Sequence, residues 1–187
     1  MFPYGDHATI QRYILNKLKD IPSIQGPKFV FVHLMVPHPP FIFTPNGSLI
    51  KDDLYYREDM GLPSTEELFQ KGYANQVAFL DNRLPELLRT IIAQSKTPPI
   101  IVLQGDHGIR SENRMQILNA YYLPDNGADQ LYETISPVNS FRYIFNHYFG
   151  TNFSLLEDKS FYSEYPDRLD LTQVEETSSN CLNTIKK

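Results

Sequence analysis

Pro99-Ile100-Ile101-Val102-Leu103-Gln104-Gly105-Asp106-His107-Gly108 is the stretch on which the fold of this chain turns. The run up to Gln104 is apolar at successive positions and bounded by the turn Thr97-Pro98-Pro99, so it reads as a buried strand covered on both faces. A carboxylate and an imidazole follow it directly, and a glycine on each side lets the backbone turn sharply there. Adjacent carboxylate and imidazole donors at the end of a buried strand are what a divalent-metal site needs. The same residues also make a common Gly-Asp turn with a capping aspartate, and the motif alone leaves both readings open.

Working toward the amino terminus, Lys28-Phe29-Val30-Phe31-Val32-His33-Leu34-Met35 is a second run apolar on both faces, stopped by Pro37-His38-Pro39-Pro40. Between the two runs, Ser64 with Glu67 forms a capping box for a long helix with the stripe Tyr73, Val77, Leu80, Leu84, Leu87, Leu88 and Ile91, which Pro85 should kink near its middle. Strand, helix and strand in this order predict a right-handed crossover between parallel strands. The expected fold class is therefore α/β, a mostly parallel sheet flanked by helices.

In such a sheet the carboxyl ends of the strands share one rim, where ligands bind. His33 and His38 follow the first strand, and Asp106 and His107 the second. Carboxylate plus imidazole suits zinc, manganese or magnesium better than copper or an iron-sulfur centre. His38, framed by prolines on a loop, is hard to explain by packing. His33, within the strand, reads more simply as a hydrogen-bonded core histidine. Asp81 reads as a cap or hydrogen-bond partner at the Pro85 kink, His7 as first-turn helix chemistry, and His147 as packing or surface. No Gly-x-Ser-x-Gly elbow, phosphate loop or dinucleotide glycine fingerprint is present, so no nucleophile announces itself.

Elsewhere, Asp6 can cap a helix over about 7 to 20 with the buried stripe Ile10, Tyr13, Ile14 and Leu18, ended by Ile21-Pro22. Residues 36–63, with Pro45-Asn46-Gly47 and a charged aromatic patch from Lys51 to Asp59, read as a long excursion without periodicity. Asn119 to Leu123 is a candidate third strand before the turn Pro124-Asp125-Asn126-Gly127. Ser136-Pro137 opens a last helix with Val138, Phe141, Ile144, Phe145 and Tyr148 facing inward, stopped at Gly150. Residues 1–150 thus form the α/β part, and 151–187 an irregular tail with its last ten or so residues disordered.

With 187 residues the length prior is one domain with a self-sufficient core. Seventeen Lys+Arg against 22 Asp+Glu give a net charge of -5, and no basic stretch interleaves with aromatics, which argues against nucleic acid. The single cysteine, Cys181, cannot form an internal disulfide. No run approaches the ~20 apolar residues of a membrane span, and Met1 to Asp6 lacks the pattern of a signal peptide.

Taken in order, Phe-Val-Phe-Val-His33-Leu-Met-Val-Pro-His38-Pro-Pro-Phe41, Tyr73-x-x-x-Val77-x-x-x-Asp81 and Ile-Ile-Val-Leu-Gln-Gly105-Asp106-His107-Gly108 resemble the alkaline phosphatase and sulfatase superfamily. The nearest likeness is to sulfatase-like proteins that include lipoteichoic acid synthases and phosphoethanolamine transferases. It covers about residues 1–150 and only the carboxyl-terminal half of such a catalytic domain, so the fold it implies is part of a three-layer sandwich.

The resemblance implies Asp106 and His107 as metal ligands for zinc, manganese, magnesium or calcium. It implies His38, and as a weaker match His33, as catalytic residues at the transferred group. The substrate it implies is a phosphate or sulfate ester. The family's first acidic ligand and its threonine, serine or formylglycine nucleophile lie in an amino-terminal half that nothing here matches. The chain therefore resembles a fragment of a longer hydrolase or transferase, whose missing half would carry membrane spans and whose catalytic domain would be extracytoplasmic. Alone, such a fragment is expected to be nearly inactive and to self-associate as a homo-oligomer through an exposed sheet edge. The alternative is a catalytically silent binding or structural domain that keeps the fold.

Overall fold

The computed structural model of the chain describes residues 5–51, 65–109, 114–163 and 169–174. Ser64, most of the Lys51 to Asp59 patch, Cys181 and the end of the tail lie outside the described residues. The chain divides into two compact units, residues 1–98 and 99–187, and each is described by itself.

In the first unit, α1 spans Gly5–Lys17, with Asp6 in its first turn and Lys17 in its last, charges that suit the helix dipole. A 3-10 turn over Leu18–Ser23 contains Pro22 and ends the helical stretch. The buried face of α1 is Ala8, Gln11 and Leu15, whereas Ile10 and Tyr13 are exposed, so the expected stripe is out of phase. Gln11 sets that phase: its Oε1 accepts the backbone N–H of Met35 at 3.1 Å, which only an inward-facing glutamine can do.

α2 spans Glu66–Asp81 and α3 spans Leu84–Gln94. Thr65 is the cap of α2, its hydroxyl accepting from the Leu68 N–H at 3.2 Å, one residue beyond the serine the sequence suggested. The single kinked helix is instead two helices. Pro85 sits in the first turn of α3, where its missing N–H costs nothing, and its ring forbids helix through the residues before it.

Residues 36–50, expected to be an excursion, supply the heart of this unit. Val36, Phe41, Ile42, Phe43 and Ile50 are buried with Phe69 and Phe79 of α2 and Leu87 and Ile91 of α3. Phe43 stacks on Phe79 at 4.2 Å and Phe41 meets Phe69 edge-on at 5.1 Å. Each buried phenylalanine contributes roughly 1.5–3 kcal/mol, enough to make this loop the core rather than decoration.

The second unit contains β1 (Ile101–Gln104), β2 (Asn119–Tyr122), α4 (Pro137–Phe149), β3 (Ser160–Tyr162) and β4 (Thr172–Val174). β1 pairs antiparallel with β2 in the register Ile101↔Tyr122 to Gln104↔Asn119, and β3 pairs antiparallel with β4. The turn 124–127 forms with positive φ at Asp125 (55°) and Asn126 (62°), and the Gly127 N–H returns to the Pro124 carbonyl at 3.0 Å. α4 begins at Pro137 and stops at Gly150, whose φ of 65° is the left-handed cap that glycine adopts freely.

The buried face of α4 is Asn139, Ser140 and Ile144, while Val138, Phe141 and Phe145 remain exposed. Asn139 is drawn in by polar bonds: its Nδ2 donates to Tyr132 Oη and the Leu156 carbonyl at 2.8 Å, and its Oδ1 accepts the Leu156 N–H at 2.9 Å. Asp158 accepts from Tyr132 Oη at 2.6 Å and from the Ser136 N–H at 2.7 Å. Burial pushes the Asp158 carboxyl up, but these donated bonds outweigh it and hold the group below its ordinary value. Burial and the bond to Asp158 push Tyr132 up to about 12.

These pairings overturn the expected mostly parallel sheet and the three-layer sandwich. Among the described residues there are two small antiparallel two-stranded sheets and no parallel pair. Residues 28–35 form no regular element and join no ladder among the described residues, with Phe29 and Phe31 82% and 81% exposed. An apolar run on both faces shows that a segment favours cover, but not which strand covers it or in which direction. β1 finds β2 across the connection 105–118, and antiparallel neighbours need no crossover helix.

Candidate functional site

Gly105-Asp106-His107-Gly108 begins the connection between β1 and β2. The ladder runs one step beyond the strands, with the Gly105 N–H donating to the Leu118 carbonyl at 2.8 Å, and the Gly108 N–H closes on the Arg114 carbonyl at 2.6 Å. Behind the loop, Gln104 Nε2 donates to Asn119 Oδ1 at 2.8 Å and to Ser140 Oγ at 3.3 Å, and Ser140 Oγ also bonds Tyr121 Oη at 2.6 Å. This network ties the end of β1 to β2 and α4, so the loop starts from a fixed base. Gly105 is not demanded by sterics: an added Cβ would lie no nearer than 3.7 Å to any atom.

Asp106 divides its two oxygens between structure and solvent. Oδ1 accepts the His107 N–H at 3.0 Å, the capping-turn role the motif allowed. Oδ2 lies 3.7 Å from His107 Nε2, with the aspartate side chain 86% exposed and the histidine 33% exposed. His107 Nδ1 is 2.7 Å from the Gly108 carbonyl, and because a carbonyl only accepts, Nδ1 carries the proton. The Nε2 lone pair is thereby left available beside Oδ2, the tautomer a metal-binding histidine uses.

Two ligands on a tetrahedral ion with bonds of ~2.1 Å stand about 3.4 Å apart, so the pair fits a divalent cation in donor type and spacing. It supplies two donors only. Among the described residues no group of three or more His, Cys, Asp or Glu could hold a metal ion.

His38 and His33 belong to the first unit. The His38 ring repeats the device of His107, with Nδ1 2.6 Å from the Pro39 carbonyl, so its Nε2 is also the free nitrogen. Its backbone is fixed by the Met35 carbonyl, which accepts the His38 N–H at 2.7 Å, and by Gln76 Nε2, which donates to the His38 carbonyl at 3.1 Å. His33 is exposed in the irregular segment 28–35 rather than buried in a core, and it lines a shallow apolar cleft with Tyr13, Ile14 and Phe31. The shared rim of parallel strands does not exist among the described residues, because the neighbour of β1 is the antiparallel β2.

Asp81 is exposed at the end of α2 and makes no side-chain hydrogen bond or ion pair among the described residues; the adjacent Asn82 and Arg83 hold the 45–46 turn instead. His147 stacks on Tyr143 at 6.0 Å, a packing role. Sequence reasoning missed Gln76, fully buried on α2, whose Oε1 accepts the N–H groups of Ile42 and Phe43 and whose Nε2 bonds the His38 and Pro40 carbonyls. The signal was a glutamine one residue from Val77, within the apolar stripe of a long helix.

No protein-family model, no curated protein and no solved structure matches this chain.

Proposed function

We propose that the chain supplies part of a divalent-metal site in a sulfatase-like hydrolase or transferase acting on phosphate or sulfate esters, with the nucleophile and remaining ligands outside residues 1–187. The observation that carries the reading is the Asp106–His107 pair: Oδ2 and Nε2 lie 3.7 Å apart while the bond from Nδ1 to the Gly108 carbonyl fixes the ligating tautomer. When bound, a divalent ion would neutralise charge on a phosphoryl or sulfuryl oxygen and lower the pKa of a hydroxyl nucleophile. Asp106 contributes a carboxylate whose other oxygen is held by the His107 amide, so it is oriented before any ligand arrives. His38, with the Nε2 lone pair free and its backbone clamped by Gln76, is suited to accept a hydrogen bond or proton from a hydroxyl group at the ester.

Titration of the chain with Mn²⁺ followed by NMR tests the proposal. Paramagnetic broadening should centre on residues 105–108 and disappear in Asp106→Asn and His107→Gln. Two protein ligands should bind only weakly, with Kd on the order of 0.1–1 mM, roughly 4–5.5 kcal/mol. Aryl phosphate and aryl sulfate should both survive incubation with the chain. Broadening that ignores these substitutions, or efficient ester hydrolysis by residues 1–187 alone, would overturn the reading.

A further inference from the structure

A second site is built into the first unit, apart from the histidines. A cleft of about 470 Å³ opens between α1 with its following 3-10 turn and the start of α3, lined by Arg12, Leu15, Lys19, Arg83, Glu86 and Leu87 among others. Three cations face it against one carboxylate. Neither arginine makes an ion pair among the described residues; each is fixed instead by the 46–47 turn and by an aromatic ring. Arg12 Nη2 donates to the Gly47 carbonyl at 2.8 Å, with its Cζ 5.3 Å from the Phe43 centroid. Arg83 Nη2 donates to the Asn46 carbonyl at 3.2 Å, with its Cζ 4.3 Å from the Phe79 centroid.

Phe43 and Phe79 are the buried stacked pair of the core, so both guanidinium groups rest on a rigid base. Gly47 completes the arrangement: its φ is +87°, and an added Cβ would fall 2.2 Å from Arg83 Nη2. Each guanidinium has five N–H donors and uses one on the turn, so the others remain on a planar fork whose geometry matches an oxyanion. Holding three like charges at one cleft is unfavourable in the free protein and is relieved by an anion. The volume lies within the range of small-molecule sites, well above what a bare oxyanion fills, and Leu15 and Leu87 are buried apolar residues of its wall.

We propose that this cleft binds a small organic phosphomonoester of sugar-phosphate size, with the phosphate on Arg12, Arg83 and Lys19 and the organic part over Leu15 and Leu87. The ligand is held, not turned over: the Thr90 hydroxyl in the lining donates to the backbone carbonyl of Glu86 at 2.9 Å rather than to a base. The site does not depend on the metal reading of Asp106 and His107.

Calorimetric titration of the full chain with glucose 6-phosphate, in EDTA, tests it. Saturable binding is expected, with glucose and inorganic phosphate each at least ~10-fold weaker, a difference of about 1.4 kcal/mol. Lys19→Gln changes an exposed side chain outside the core and should weaken binding ~3–10-fold, while Arg83→Lys, which keeps the charge and loses the fork, should weaken it by ~10-fold or more. Asp106→Asn should leave it unchanged. Absence of saturation up to about 10 mM would overturn the proposal. So would equal binding of glucose, equal binding of inorganic phosphate, or indifference to Lys19→Gln in a variant whose circular dichroism matches the native chain.

Discussion

Gln76→Leu should loosen the first unit at its centre without leaving a hole. Leucine is close to glutamine in volume, so the perturbation is chemical: four backbone groups lose their partner. The lost bonds are Ile42 N–H at 3.3 Å, Phe43 N–H at 3.4 Å, the His38 carbonyl at 3.1 Å and the Pro40 carbonyl at 3.5 Å. An orphaned buried polar group costs ~1–3 kcal/mol, and because these bonds are long the lower end applies, about 1 kcal/mol for each amide and less for each carbonyl. The sum expected is roughly 2–4 kcal/mol, a large share of a domain stability of ~5–15 kcal/mol. The chain has two units and need not unfold in one step, so the readout should be local. Hydrogen exchange measured by NMR reports the Ile42 and Phe43 amides directly, and about 2 kcal/mol should speed them by roughly 30-fold. Amides of α4 should be unaffected. Unchanged exchange at Ile42 and Phe43 in the leucine variant would refute the view that Gln76 organises the His38 loop.

Other perturbations test other parts of the structure. Gly72→Ala puts a Cβ 2.2 Å from Phe41 Cδ2 and 2.9 Å from Phe41 Cβ, so the ring cannot simply swing away; the overpacking cost of ~1–3 kcal/mol should exceed alanine's helix-propensity gain of under ~1 kcal/mol, and a raised Tm would contradict this. Asp158, held below its ordinary value, contributes stability that is present above the unfolded pKa of ~3.9 and lost as pH falls through the lower folded value. Asp158→Asn should therefore flatten the acid limb of an unfolding-versus-pH curve, and an unchanged limb would remove the carboxylate from the account. Tyr132 contributes stability that is full below its unfolded pKa of ~10 and lost as pH rises toward about 12, so the late-ionising part of an absorbance titration should lose one tyrosine in Tyr132→Phe, and an unchanged titration would contradict this. Residues 28–32, with Phe29 and Phe31 exposed and no strand partner among the described residues, should drive self-association. Sedimentation should show Phe31→Lys shifting the chain toward monomer; a native chain monomeric at high concentration would count against this.

The features legible in the sequence are those that act through local sterics. Pro85 divides α2 from α3, Pro137 starts α4, Gly150 ends it and Pro124 to Gly127 turns the chain, each because one residue's own backbone limits decide the outcome. Helix period was legible too, but its phase was not. In α1 and α4 the apolar stripe expected to face inward is largely exposed, and polar residues, Gln11, Asn139 and Ser140, are buried instead. Gln11 and Asn139 turn inward because distant backbone groups at Met35 and Leu156 require partners, and Ser140 because its hydroxyl meets Gln104 and Tyr121. A pattern that ranks positions by apolarity alone scores such residues as outside. Residues 41–43 were missed for a related reason: three consecutive apolar residues after prolines show no period, yet they carry the core.

The candidate pair was legible to the same depth. Asp106 and His107 were singled out because of their types and their place after an apolar strand, and that strand exists. The supposed parallel rim was an inference from two strand signals to a ladder, and ladder direction is not written in either strand. What makes the pair chemically pointed is a contact that no motif spells out. His107 gives its Nδ1 proton to the carbonyl of Gly108, and His38 does the same to Pro39, at 2.7 Å and 2.6 Å. In both, the acceptor is the very next residue, so the tautomer is set within a dipeptide and needs no help from the rest of the fold. A histidine held in this way presents its Nε2 lone pair by virtue of its own dipeptide, the pre-organisation that a ligating or proton-accepting imidazole needs.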